Sequence, residues 1–260
     1  MVGTSPLSAR DQQALNKKQA LAREYAAMRA GRFSGAAYQR DFEAFMSQYG
    51  GAAAQASHAV TPYCIPDPDT GKCGSSGSNF VALTQQSQAN SYYCGPATAA
   101  EILAGRGVNK SQSFLAGSSY LKTDATGATS WNPYVMHPTL NTLLNTNWYP
   151  PVNGSGVGGG FDATTWEDDL QFDIDNGWAI AGNIVEYQNT DPHLVGHPRG
   201  LTIYHWIAIY GYTYYGVDTK YADSVSGDAW IWSWAANVPP YSSFASSDMT
   251  TLLNQRGVVY

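Results

Sequence analysis

The chain has 260 residues, of which 43% are hydrophobic and only 13% charged, with a formal net charge of -6. That length suits one sizeable domain with an appendage, or two small domains, with apolar residues enough for a core. No basic face is visible, which argues against nucleic acid as a partner, and no apolar run is long enough to span a bilayer.

In chain order, residues 8–31 read as an amphipathic helix. Ser8 stands as cap with Asp11 three positions on; Leu15, Leu21, Tyr25 and Met28 share a face, and Gly31 ends it. A second helix is expected over 34–49, with Tyr38, Phe42, Phe45 and Tyr49 recurring at helical steps. The two form an N-terminal helical hairpin, residues 1–50. A linker rich in Ala, Pro, Gly and Ser follows over 51–78.

Cys64 and Cys73 bracket a segment with two prolines and an Asp-Thr-Gly turn. Such a segment folds back on itself, so the two are expected to form a disulfide, which implies an oxidising compartment. Zinc is the rival reading, with His58 as a third ligand, but a structural site wants four and the sequence offers no fourth. The charged share is about half the ordinary one, which fits an extracellular protein. Residues 1–30 lack a signal-peptide pattern, as in a mature form whose leader has been removed or in a cytoplasmic protein, and the cysteines help decide between them. Cys94 is the cysteine left over.

The remainder, 79–260, reads as a separate domain. A short strand is expected over 79–84 and a helix over 96–105. Residues 106–160 read as loop, full of Ser, Thr, Asn and Trp. A helix capped by Asp162 runs to Asp175, with Trp166, Leu170 and Ile174 inward. Its acidic residues (Glu167, Asp168, Asp169, Asp173, Asp175) read as a solvated face; no loop matches a calcium motif. Strands are expected over 178–187, 201–210, 220–224 and 230–234, then a helix over 247–256 and an edge strand over 258–260. Helices first and strands second make an α+β domain.

The chemistry gathers around Gln88-Ala89-Asn90-Ser91-Tyr92-Tyr93-Cys94-Gly95-Pro96-Ala97. A thiol nucleophile works as the thiolate, which a helix N-terminus favours, and Pro96 is suited to a first turn. Gly95 allows backbone and substrate to approach closely. The Cys94 amide is left free by the helix end and can face an oxyanion, with the Gln88 amide as second donor. His205 lies on an apolar strand, sharing a face with Ile203 and Ile207. A hairpin turning near residue 214 sets Asp223 opposite it, so the sequence permits a Cys–His–Asp chain. His193 and His197 lie in a loop, where substrate contact or plain exposure is expected. Tyr92 and Tyr93 either shape the cleft or pack beside it. The 230–234 run, with its three Trp, reads as core.

Gln-x5-Cys-Gly-Pro-Ala, then His-Trp-Ile-Ala-Ile-Tyr-Gly-Tyr, then Tyr-Ala-Asp-x-x-x-Gly resembles the bacterial double-glycine (bacteriocin-processing) peptidase-like family of the papain-like clan, over roughly 85–260. The resemblance implies a papain-like α+β fold, with a nucleophile-bearing helix packed on an antiparallel sheet. It implies Cys94 as nucleophile, His205 as general acid and base, Asp223 as its orienting group and Gln88 in the oxyanion hole. Tyr93, Gly95 and Trp206, beside these residues, are expected to contact substrate. Neither metal nor organic cofactor is expected. Transporter-linked members of the family are fused to membrane segments; this chain, with none, resembles the free-standing secreted members.

The expected reaction is cleavage of a peptide or protein substrate through a thioester. The same triad also suits deamidation, isopeptide cleavage or transglutaminase-like acyl transfer. A catalytically silent binding protein with aromatic-rich loops is the reading from another class. For residues 1–50 an inhibitory propeptide, an integral layer and a partner-docking segment remain open.

Overall fold

The computed structural model describes residues 6–51, 69–70 and 77–260. The expected Cys64–Cys73 pair and most of the linker lie outside the described residues.

Helix α1 spans Ala9–Arg29, and the Ser8 hydroxyl accepts the Asp11 amide at 3.1 Å. Such a cap contributes about 1 kcal/mol. Helix α2, Gly35–Phe45, is capped by Ser34 and widens into a π-helical turn over Met46–Gly50. Tyr38, Phe42, Phe45 and Tyr49 are all buried. The Phe42 and Phe45 rings meet helix α7, Ala163–Asp175, and Trp148: Phe42 lies 6.2 Å from Phe172, and Phe45 lies 5.8 Å from Trp148. The hairpin thus shares its core with the rest of the described chain.

Strand β1 is only Asn79–Phe80, shorter than expected. It pairs with Tyr212 and Gly211, after which the chain leaves the sheet. Gln85 then donates its side-chain amide to the Asp223 carbonyl, and the Gln86 amide binds Glu101. Helix α3, Cys94–Gly105, starts two residues before Pro96. A proline in the first turn loses only an N–H that has no helical acceptor.

The segment expected as loop, 106–160, contains helices α4 (Gln112–Ala116), α5 (Thr123–Thr126) and α6 (Met136–Leu143) and strand β2 (Pro151–Asn153). These elements are too short for a periodic signal to develop. Strands β3 (Ile180–Glu186), β4 (Ile203–Thr213), β5 (Asp218–Ala222) and β6 (Tyr241–Ala245) follow, then helix α8 (Ser246–Leu253) and strand β7 (Gly257–Val259). The strands pair antiparallel in the order β2-β7-β3-β4-β5-β6, with β1 also on β4. Eight helices and seven strands among the described residues make an α+β fold.

Three expectations are corrected here. The C-terminal strand is not an edge, because β2 pairs outside it. Residues 230–234 are not a strand: β6 takes the place beside β5, and the tryptophan segment leads instead into a 3-10 turn over Ser233–Asn237. There Trp232 and Trp234 stack at 5.6 Å, while Trp230 is 72% exposed. The acidic residues of α7 are not all on a solvated face, since Asp169 and Asp173 are buried. Asp173 accepts the Lys18 ammonium at 2.6 Å and the Trp148 indole N–H at 2.6 Å.

Candidate active site

Cys94 is the first residue of α3, flanked by buried Tyr93 and Gly95. A Cβ on Gly95 would run into the Thr129 side chain, so only glycine lets the helix start lie against the 127–129 loop. That loop is tied to the sheet through the Trp206 indole N–H, which donates to the Thr129 carbonyl at 3.0 Å.

His205 sits near the start of β4, paired with Ile184 on β3. The β4–β5 hairpin carries a bulge between Ile209 and Gly211, and Ala208 pairs with Ala222. Asp223, one residue past β5, therefore falls level with Ile207 and reaches His205 two residues along the same face. The His205 Nε2 donates to Asp223 Oδ1 at 2.9 Å. Its other ring nitrogen is left for Cys94, whose sulfur acts on the imidazole and which lines the same two hollows as His205.

Burial works against a charged His205. The charge and hydrogen bond of Asp223, with the Cys94 sulfur, outweigh it and hold the imidazole pKa well above its ordinary value. Burial likewise opposes ionisation of Asp223, but His205 and His197 draw it far below the usual carboxylate range. Asp223 Oδ1 also accepts the Val225 amide at 2.9 Å.

The sequence did not point to the other side of this carboxylate. His197 is buried, neither exposed nor placed for substrate contact. Its Nε2 lies 3.0 Å from Asp223 Oδ2 and its Nδ1 lies 2.6 Å from Glu186 Oε2. Glu186 Oε1 in turn accepts the Leu194 amide. His193 is half-buried, with its Nδ1 4.0 Å from Glu186 Oε2. The signal was present but non-local. The 187–202 connection starts and ends beside one rung of the ladder, Glu186 opposite Ile203, so its histidine returns next to His205. His197, His205 and Asp223 hold donor atoms within 4.8 Å of one another, a spacing at which a cation could be held. The three are already joined by hydrogen bonds, which accounts for the cluster without one.

Gln88 is buried. Its Nε2 donates to the Asn90 carbonyl at 2.7 Å, and its Oε1 accepts the Ser224 hydroxyl at 3.3 Å. The orientation of its amide is thus fixed, with the second N–H of the NH2 still to spend. Glu101, two turns along α3 from Cys94, accepts the Gln86 amide at 2.7 Å and secures the segment before Gln88. Burial pushes the Glu101 carboxyl up to about 8.

Two hollows meet at Cys94 and His205. One, of about 330 Å³, is walled by Tyr92, Thr129, Trp131, Asn183, Trp206 and Arg256. The other, of about 210 Å³, is walled by Gln88, Leu201, Thr202, Val225, Trp232 and Trp234. Tyr204 borders both and is exposed. Trp206 is therefore on the cleft. Tyr93 lines neither hollow: its ring is buried and its hydroxyl donates to Asp124 at 2.5 Å, leaving Tyr92 to face the cleft.

A thiol on a helix start, an imidazole on the sheet beside it and an open cleft running past both define a cysteine-peptidase-like enzyme of the papain-like class. The family model of the peptidase C39-like family matches residues 79–239, more than half of the chain, and the chain belongs to that family. The match begins at β1, beyond the helical hairpin, and ends before β6. No curated protein and no solved structure matches the chain. No helix among the described residues is long and apolar enough to cross a membrane.

Proposed function

We propose that this protein hydrolyses peptide bonds with Cys94, His205 and Asp223 as its triad, and that it works outside the cell. The observation that supports the reading is the buried His205–Asp223 pair beside Cys94, which opens on the same two hollows as His205. The low charge and the paired spacing of Cys64 and Cys73 support an oxidising location.

With His205 protonated, the Cys94 sulfur acts as thiolate and attacks the substrate carbonyl carbon. The carbonyl oxygen takes the negative charge. It is received by the Cys94 amide, a first-turn N–H without a helical acceptor, and by the unspent N–H of Gln88. As the C–N bond breaks, His205 gives its proton to the leaving amine, which departs and leaves a thioester on Cys94. His205 then takes a proton from water as that water attacks the thioester. The acid leaves, and the thiolate and imidazolium are restored. Asp223 holds the imidazole in the orientation that serves both transfers.

The test is brief iodoacetamide treatment without reductant near pH 6, read by intact mass and peptide mapping. An ordinary thiol, with a pKa of about 8.5, barely reacts there. One rapid label on Cys94, lost in His205→Ala, is expected; alkylation of the unfolded chain at about pH 8.5 without reductant is expected to leave Cys64 and Cys73 unlabelled because they are paired. A Cys94 that labels no faster than free cysteine would sink the proposal; labels on all three cysteines of the unfolded chain at about pH 8.5 would sink the extracellular part of it. A peptide library, run with and without added amine, then reads out cleaved products.

A further inference from the structure

Asp223 is the only carboxylate in the proposed triad, yet two imidazoles claim it. His205 takes Oδ1 at 2.9 Å and His197 takes Oδ2 at 3.0 Å. The side chains of both histidines and of Asp223 are at most 3% exposed. An ionised carboxylate only accepts hydrogen bonds, so each facing ring nitrogen carries a proton. His197 has the second carboxylate, Glu186, on its other nitrogen at 2.6 Å. With both carboxylates ionised, both its nitrogens are donors and the ring is an imidazolium. We infer that His197 is a positioning residue for the reaction: it pins the second oxygen of Asp223, and its charge sets how strongly that carboxylate acts on His205. The inference rests on the proposed triad and adds to it a residue that touches no reacting atom.

The physical reason lies in sharing. Around His197 stand Asp223 and Glu186, its two partners, with His205 across Asp223, His193 near Glu186 and the Trp234 ring 5.1 Å away. Beyond them, Glu101 and Asp228 also act on Asp223 electrostatically. With one imidazole on each oxygen, the Asp223 charge is divided, and at this burial charges act across short distances with little screening. A triad in which His205 alone faced Asp223 would hold its imidazolium more tightly. That would make it a poorer proton donor to the leaving amine. His197 also ties the 187–202 connection, and so the Leu201–Thr202 wall of the second hollow, to the triad. Burial disfavours the charged ring, but Asp223 and Glu186 outweigh it and lift His197 to about 9.

The experiment is an NMR titration of ring-labelled histidines in the full chain, from pH 5 to 10, in wild type and His197→Gln. Glutamine keeps a donor near the position of Nε2 and removes the charge. In wild type, the His197 signal is expected to stay protonated through pH 7.5. In the variant, the His205 midpoint is expected to rise by about half a unit or more, with kcat on a cleaved peptide falling roughly tenfold and KM within about twofold. A neutral His197 at pH 7 in wild type overturns the inference even where the variant does not fold. So does a His205 midpoint that stays put, whatever happens to the rate, or one that rises with kcat unchanged. Slow labelling of wild-type Cys94 by iodoacetamide is a separate result, which strikes the proposed function and leaves the histidine titration to be read by itself.

Discussion

Gln88 shows how much of the site rests on single hydrogen bonds. Its amide is anchored at both ends, by Asn90 and by Ser224, before any substrate arrives. A donor that is already oriented costs nothing to reorganise when an oxyanion forms, and one such donor is worth about a hundredfold in rate or more. Gln88→Ala is therefore expected to lower kcat by about that factor while iodoacetamide labelling of Cys94 stays rapid, because alkylation builds no oxyanion. Equal loss of both would assign Gln88 to holding the fold. At the same scale, the candidates Gln88, Cys94, His205 and Asp223 were legible as residue types in that order along the chain. Tyr93 was not placed correctly, because two adjacent tyrosines at a helix start give no sign of which one turns in toward Asp124.

Among the elements, α1 holds the clearest wager. Lys18 is fully buried in its middle, bonded to Asp173 at 2.6 Å and to the Trp148 carbonyl at 3.1 Å, with its ammonium over the rings of Trp148 and Tyr260. Burial pulls the lysine down to about 8 and pushes Asp173 up to about 6, so both are charged at pH 7. Removing one member of such a pair strands the other and costs about 3–5 kcal/mol. Lys18→Ala should show that loss in urea denaturation; a change below about 1 kcal/mol would mean that the pair is not closed in solution. No described residue of α1 or α2 lines either hollow at Cys94. The amphipathic pattern of α1 was legible from Leu15 and Leu21. The lysine between them reads as solvent-facing in any sequence, because its partner lies 155 positions away.

Taken as a whole, the molecule buries an unusual set of titrating groups, and their shifts mostly point one way. Burial lifts Glu101 to about 8, Asp169 to about 7 and Asp173 to about 6. The folded chain keeps protons that the unfolded chain, near pH 4, has released. Their contribution to stability is thus fullest in acid and falls as pH rises through those values. His197, lifted to about 9, and His205, lifted well above its ordinary value, contribute fully below about 6.5 and lose that contribution as pH rises through their folded values. Asp223 acts oppositely, but only in stronger acid, where its lowered pKa makes protonation cost stability. Lys18, lowered to about 8, adds stability with rising pH only above that value. The melting temperature is expected to be higher at pH 5 than at pH 8, which a thermal scan in matched ionic strength measures. The reverse order would show that these groups reach solvent in the native state.

The sequence by itself determined the helical hairpin, the strand-rich second half, the place of Cys94 at a helix start and the family resemblance. The first three depend on periodicity, caps and spacing within a few turns of chain, where local sterics and hydrogen bonding decide; the resemblance rests on the order of motifs along the chain. The tertiary structure alone decided that β7 is interior, that the tryptophan segment gives up its place in the sheet to β6, and that Asp173 is buried against Lys18. It alone put His197 and Glu186 behind Asp223. Those outcomes turn on which distant segment supplies the partner for a buried charge or an open strand edge. That choice is made by the packing of the whole core and leaves no periodic trace in the chain.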